Sequence, residues 1–359
     1  MELRAIMVFQ GAKMNRITAA INTSIIIGVL ITLAVVVAVV AVVRLDVLGS
    51  RGGGLSEEFK YEVNELARID PNLILYEESA DPIKTGFAKT HGVAVDSKSS
   101  VYVAGDKAIR IFALSGDRLD EVKLDDTPRC LTITTDGTIY AGLKDHVEVY
   151  DSQGQKQASW DSLGKDAILT SIAASEENVF VADAGHRIVV QYDKAGNIIK
   201  DIGKKDTFRN NPGFVIPSPY FDVTAPRNGL LWIVNPGRLR IEAYTLEGDI
   251  EFWWGAPSAA VEGFCGCCNP VNIAMLPDGG FVTCEKGLVR IKIYSTDGSF
   301  KGVVAGPEQF GAGGTTKICM LPEECKTSGF DVAVDREGRI FVLDTVDNIV
   351  RMFTRRKGR

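Results

Sequence analysis

Cysteine supplies the most reactive chemistry in this sequence. Three thiols fall in one short run, Gly263-Phe-Cys265-Gly-Cys267-Cys268-Asn-Pro270, and Cys284 follows within the next strand-length of chain. Cys319 and Cys325 form a second, looser pair, and Cys130 stands alone. Three chemistries compete for these residues. Disulfides joining Cys319 to Cys325, and one of Cys265, Cys267 or Cys268 to Cys284, would staple long loops in an oxidising compartment. A thiolate metal or iron–sulfur site could draw four ligands from Cys265, Cys267, Cys268 and Cys284, although Cys-x-Cys-Cys is not a usual spacing for either. The third is a reactive thiol engaged in redox exchange. The total of 7 is odd, so at least one thiol is left over if the rest pair within the chain.

Other chemistries are narrowed by what is missing. Only 3 histidines are present, which excludes a histidine-rich metal site. There is no Gly-x-Ser-x-Gly elbow, no phosphate-binding glycine loop and no His-Glu-x-x-His. Gly311-Ala-Gly-Gly314 reads as a flexible loop. With 46 acidic against 40 basic residues the formal charge is -6, which argues against nucleic acid as a partner.

The elements that must position these residues are repeats. From residue 90 onward the chain cycles through a short aliphatic strand, a turn, a second strand, a turn, a third strand ending in an aromatic, and a turn. First strands begin at Gly92, Cys130, Ser171, Asp222, Asn272 and Asp331. Third strands end at Phe112, Tyr150, Tyr192, Tyr244, Tyr294 and Phe353, and Gly116, Gly154, Gly196, Gly248 and Gly298 mark the turns that follow the first five. Units of this kind with a period of ~40 residues are blades of a β-propeller. The last unit runs out after three strands, and Leu73-Ile-Leu-Tyr76 is expected to supply the fourth and close the ring.

The strand pattern resembles the NHL-repeat family of six-bladed propellers, most closely in Val181-Ala-Asp183-Ala-Gly-His-Arg-Ile-Val-Val-Gln-Tyr192. The resemblance covers roughly three-quarters of the chain and implies the fold, not an activity.

Alternation along the first strands sorts their residues. Val93, Leu131, Ile172, Val223, Ile273 and Val332 are expected to pack between blades, and Ala94, Thr132, Ala173, Thr224, Ala274 and Ala333 to face a narrow axis. One step earlier lies a ring of Gly92, Cys130, Ser171, Asp222, Asn272 and Asp331, expected at the channel mouth. The oxygens of Asp222, Asn272, Asp331 and Ser171 could hold a hard cation. In lactonase-like propellers, which look similar, such a ring holds a catalytic metal, so a metal-dependent hydrolase is one alternative; the bland alternative is a ring that binds water. Cys130, Ser171, Arg129 and His91 are candidate ligand contacts beside it. Asp183, Asn235, Glu285 and Asp344 share an aligned position and are expected to cap turns, with His146 and His186 in equivalent turns. Trp253 and Trp254 are expected to pack on a blade, with an apolar partner-facing patch as the alternative. On this register the cysteines share one face of the ring.

The N-terminal region is of another kind. Residues 1–18 read as a cytoplasmic tail. Residues 19–43 carry no charge, long enough to cross ~30 Å of hydrocarbon. Val42-Val43-Arg44 is a poor cleavage site, so the span reads as an uncleaved signal anchor. Arg4, Lys13 and Arg16 place the N-terminus inside and the propeller in the periplasm or outside the cell. Residues 44–70 form a glycine hinge and a short helix with Leu55, Phe59, Leu66 and Ile69 on one stripe. Residues 71–359 form the propeller, and Arg355-Arg-Lys-Gly-Arg359 a solvated basic tail. The fold class expected is all-β, a six-bladed propeller behind one transmembrane helix and a short juxtamembrane helix. The function expected is a non-catalytic binding or scaffold subunit in a membrane complex, using its cysteine-bearing face; the alternative is a thiolate-metal or iron–sulfur redox protein.

Overall fold

The computed structural model describes residues 27–37, 68–310 and 329–358. Residues 27–37 are helical with exposed apolar side chains, as the uncharged Ile/Val/Leu sequence dictates. Among the described residues no helix is long and apolar enough to cross a membrane. The expected span over 19–43 and the expected helix over 55–69 lie mostly outside the described residues. Arg68, Ile69 and Asp70, which are described, have no regular structure.

The rest is a ring of six antiparallel sheets occupying residues 90–123, 130–159, 169–202, 222–254, 272–305 and 331–355, here called blades 1 to 6. Apolar residues repeat on both faces of each sheet, so neither face can be left to water. Each face packs on the next blade. Blades 2 and 3 share Tyr140, Val147, Ile172, Val181 and Tyr192, and blades 4 and 5 share Trp232, Trp254, Ile273, Phe281 and Tyr294. The expected register holds. Val93, Leu131, Ile172, Val223, Ile273 and Val332 are all buried, and the small residues one step on line the central channel. The five turn glycines that follow third strands adopt positive φ, between 74° and 92°.

Two details differ from expectation. Blade 4 has only three full strands, Leu230–Asn235, Arg240–Thr245 and Ile250–Trp254. Its inner edge is reduced to isolated bridges, Val223 to Ile233 and Arg227 to Leu230, because Pro226 between them lacks the N–H needed to continue the ladder. The closing strand is also shifted. Of Leu73–Tyr76 only Tyr76 pairs with blade 6, through the strand Tyr76–Glu78, and Ile83–Lys84 pairs further along the same edge. Pro71–Leu73 instead forms a single 3₁₀ turn capped by the Asp70 side chain. The chain then crosses the seam between blades, where Ile74 bridges Val303 of blade 5 and Leu75 donates to the Val303 carbonyl at 2.9 Å.

Ile83 is 3% exposed inside this closure. Ile83→Ala is expected to lower unfolding stability by about 2–4 kcal/mol, read from urea midpoints, through the cavity it leaves at the seam.

Candidate functional site

The face where the inner strands begin, the upper face, carries a cavity of about 640 Å³. Lys89, His91, Arg129, Lys144, Tyr220, Asn272 and Asp331 are among the residues that line it. His91 is pushed down to about 4 by burial and by the neighbouring Lys89 and Arg129 cations, so its ring is neutral at physiological pH. His91 and Arg129 line this cavity together with Asn272 and Asp331 of the ring.

The ring itself is not an open mouth. Asn272 borders the upper cavity, Cys130, Ser171 and Asp222 border the channel beneath, and Asp331 borders both. The ring is thus a partition across the axis. Its carboxylates are engaged with backbone. Asp222 accepts from Val223 N at 2.8 Å and from Ile273 N of the next blade at 2.6 Å, and Ser171 Oγ donates to it. Asp331 accepts from Val332 N at 2.9 Å and from Val93 N at 2.8 Å, which ties blade 6 to blade 1. Asn272 Nδ2 donates to the Phe330 carbonyl at 2.6 Å. These oxygens link inner strands, and among the described residues no group of three or more His, Cys, Asp or Glu side chains is placed to hold a metal ion. Burial raises Asp222 to about 6, and burial with the nearby Asp222 charge raises Asp331 to about 7.

The cysteines do not gather as expected. Cys130 packs among Tyr140, Leu169 and Ile172 between blades 2 and 3, and Cys284 is fully buried among Val271, Val282 and Val332. Burial, reinforced by Asp331 and Asp222, raises both thiols. Neither faces solvent on the upper face. Cys130, Cys265, Cys267, Cys268 and Cys284 are all free thiols. The pairing of one loop cysteine with Cys284 is therefore not formed; inner-strand Asn272 is paired across the ladder with Cys284, which sits in the core. Cys319 and Cys325 lie outside the described residues.

What remains at the surface is the loop between blades 4 and 5. Cys267 is exposed, and its Sγ lies 3.4 Å from Cys268 Sγ. The loop is gripped from below by side chains of blade 5. Glu285 accepts from Cys265 N at 2.8 Å. Arg290 donates to the carbonyls of Ala259 and Ala260, Lys292 Nζ to that of Gly263 at 2.5 Å, and Tyr294 Oη to that of Glu262 at 3.0 Å. Asn269 closes the far end, donating to the carbonyls of Cys265 and Lys286 and accepting from Lys286 N. Gly263 is required here, because a Cβ would meet that of Ser258 at 2.3 Å.

Glu285, Arg290 and Lys292 are essentially without solvent exposure. Lys292 Nζ stands 3.2 Å from Glu285 Oε2 and 4.5 Å from the centre of the Phe264 ring. Burial lowers Lys292 to about 8 and raises Glu285, while each partner's charge pulls the other back. Burying such charges costs more than an apolar core would. The compensation is that every one of them fixes a carbonyl or an N–H of the cysteine loop.

The aligned turn position divides: Asp183 and Asp344 cap their own turns, whereas Asn235 makes no such cap and, like Glu285, bonds to the incoming loop. Asp183 accepts from Gly185 N and His186 N within its turn, and also from Ile168 N of the incoming loop at 2.9 Å. Asp106, Asn235 and Glu285 make the equivalent bond to Lys89, Val215 and Cys265. Asp344 accepts from Val346 N and Asp347 N of its own turn. The two tryptophans divide: Trp254 is buried, whereas Trp253 is 50% exposed with Arg240 stacked 4.6 Å from its ring centre.

Sequence reasoning missed Ser218, Lys286, Arg290 and Lys292. A signal existed. Two residues before the closing aromatic of the third strand stand Arg110, Glu148, Glu242, Lys292 and Arg351, each a charge inside an apolar strand. Arg110 pairs with Glu121 and also donates to the Thr85 carbonyl, Glu242 pairs with Arg240, and Arg351 pairs with Glu78 of the closing strand; in blade 5 the charge reaches the cysteine loop.

No family model matches the chain, and no curated protein matches it. Solved structures do match. A streptogramin B lyase has a TM-score of 0.55 at 12% identity, covering 79% of this chain and 98% of that one. A catalytically inactive virginiamycin B lyase from Staphylococcus aureus with quinupristin has a TM-score of 0.52 at 14% identity, covering 78% and 99%. The WD40 β-propeller domain of Doa1 has a TM-score of 0.52 at 18% identity, covering 77% and 82%. At such identities the likeness is one of fold. The chain is a six-bladed β-propeller.

Two outcomes are expected. Lys292→Met leaves buried Glu285 facing only the more distant Arg290, 4.0 Å away, and should cost about 3–5 kcal/mol in urea unfolding, while Lys292→Met with Glu285→Leu recovers part of the loss. Asp331 carries a raised folded value, so its contribution is full below the ordinary carboxylate value of 3.8 and is lost as pH rises through about 7. Wild type should therefore lose stability relative to Asp331→Asn between pH ~4.5 and ~7.5, by on the order of 1–3 kcal/mol, read from urea midpoints at the two pH values.

Proposed function

We propose that the chain is a membrane-anchored, NHL-type propeller displayed outside the cytoplasm, and that it acts as a non-catalytic binding or scaffold subunit of a membrane complex. The partner is a protein that docks on the upper face against the cysteine loop. One observation carries this reading: a loop with no role in closing the ring is held in place by a set of buried charges, and its tip, Cys267, is presented to solvent. A merely connecting loop gains nothing from that expense, whereas a docking surface gains preorganisation.

Other features support parts of the reading. The uncharged stretch over 19–43 supports the anchor, and the strand pattern around 181–192 supports the repeat type. The commitment of Asp222 and Asp331 to backbone N–H groups favours binding over hydrolysis at the ring. The acidic balance favours protein over nucleic acid.

Labelling with a maleimide tests it. Membranes holding the full chain are reduced with a phosphine and labelled, with Cys267→Ser as background and Gln153→Cys, on an exposed turn of blade 2, as the accessible control. Cys267 should be protected in membranes and become reactive once the chain is purified in detergent, while the control reacts equally in both. Equal reactivity of Cys267 in membranes and in detergent would remove the docking role.

A further inference from the structure

Cys268 lies in a setting that its sequence neighbours do not explain. It is 7% exposed, and it sits against two side chains from elsewhere in the fold, Ser218 from the loop entering blade 4 and Lys286 from the turn of blade 5. Lys286 is itself 6% exposed; its Nζ donates to Ser218 Oγ at 2.9 Å and lies 4.5 Å from the centre of the Tyr220 ring. An ammonium group brought to this depth needs an anion nearby, and no carboxylate pairs with it among the described residues. Cys268 sulfur is the group in that place. Burial alone would push its thiol up; hydrogen bonds from Ser218, Lys286 and Cys267 outweigh burial and lower it, while the thiol of Cys267 is raised by its bond to Cys268. The two sulfurs stand within hydrogen-bond reach at 3.4 Å, with one sulfur exposed and the other buried.

We propose that Cys267 and Cys268 are a redox-active dithiol that reduces an incoming disulfide and closes to a vicinal disulfide, with Cys267 as the attacking sulfur, Cys268 as the resolving sulfur, and Lys286 with Ser218 holding the negative charge. The inference stands on this geometry and not on the docking reading above. The steps balance. From the singly deprotonated pair, the remaining proton passes to Cys268 as Cys267 Sγ attacks one sulfur of a disulfide RSSR; the S–S bond of RSSR breaks and RS⁻ leaves. RS⁻ takes the proton from Cys268 and departs as RSH. Cys268 Sγ then attacks Cys267 Sγ of the mixed disulfide, and the second RS⁻ leaves. The dithiol loses two electrons and RSSR gains them. Exposure fixes the order of attack, because an external disulfide can reach only Cys267.

The test uses the reduced full-length protein in detergent with oxidised glutathione, followed by mass spectrometry of the peptides that carry each cysteine. Wild type should lose the mass of two hydrogens from the segment holding Cys265, Cys267 and Cys268, with no glutathione retained there, and should do so equally as Cys265→Ser. Cys268→Ser should retain glutathione on Cys267, and Cys267→Ser should acquire none on Cys268. Lys286→Met should slow wild-type exchange at neutral pH by about tenfold or more and move its pH–rate profile upward, a shift that a purely structural lysine would not give. Glutathione persisting on Cys267 in wild type, or a disulfide that involves Cys265 or Cys284, would overturn the proposal. The wild-type readout decides it even if a variant fails to fold.

Discussion

Three charged side chains in a place without water organise the functional half of this molecule. Lys292 stands in the third strand of blade 5, with Glu285 and Arg290 at the two ends of the turn that precedes it, and each would be costly there if it served only its neighbours. They are satisfied by the backbone of the loop before the blade. The loop and the ions therefore need each other. Remove the ions and the carbonyls of Ala259, Ala260 and Gly263 and the N–H of Cys265 lose these partners; remove the loop and the ions lose theirs. Such mutual dependence turns a surface loop, usually the most mobile part of a propeller, into part of the core.

The inner ring works on a similar principle at smaller scale. Asp222 and Asp331 each bond to their own blade and to the next one. Blades touch chiefly through apolar side chains, which resist separation but tolerate sliding. A carboxylate spanning two inner strands adds direction to that contact. Oxygen ligands around an axis look alike in sequence whether they hold a cation or hold backbone, because both tasks want short acidic and amide side chains at the start of a strand.

Much of the fold was legible because the blade is a local pattern. The aliphatic position of the inner strand, the small residue that follows it and the aromatic that ends the third strand each recur, so Val93 and Val332 could be placed without coordinates. The closing strand was legible only in kind. Leu73–Tyr76 looked right by hydrophobicity, but the seam between blades needed crossing first, and Pro71 made the turn that does so. The site was less legible. Alternation placed Cys284 correctly on its strand, yet it could not say that the side chain faces the core and not the loop cysteines. Nor could spacing reveal that Ser218 and Lys286, 68 residues apart, meet in one hydrogen bond beside the loop. Contacts of that range belong to the ring, not to any repeat.

The seam also decides how the ring bears a pull. Chain N-terminal to residue 70 leads straight into a segment stitched to Val303 in one blade and then, through Tyr76–Glu78 and Ile83–Lys84, to the last strand of another. Tension applied along that leader would reach these hydrogen bonds before any others in the ring. The fastening that completes the circle is thus also its mechanical shackle, and a tether there would strain the clasp before any other part of the wheel.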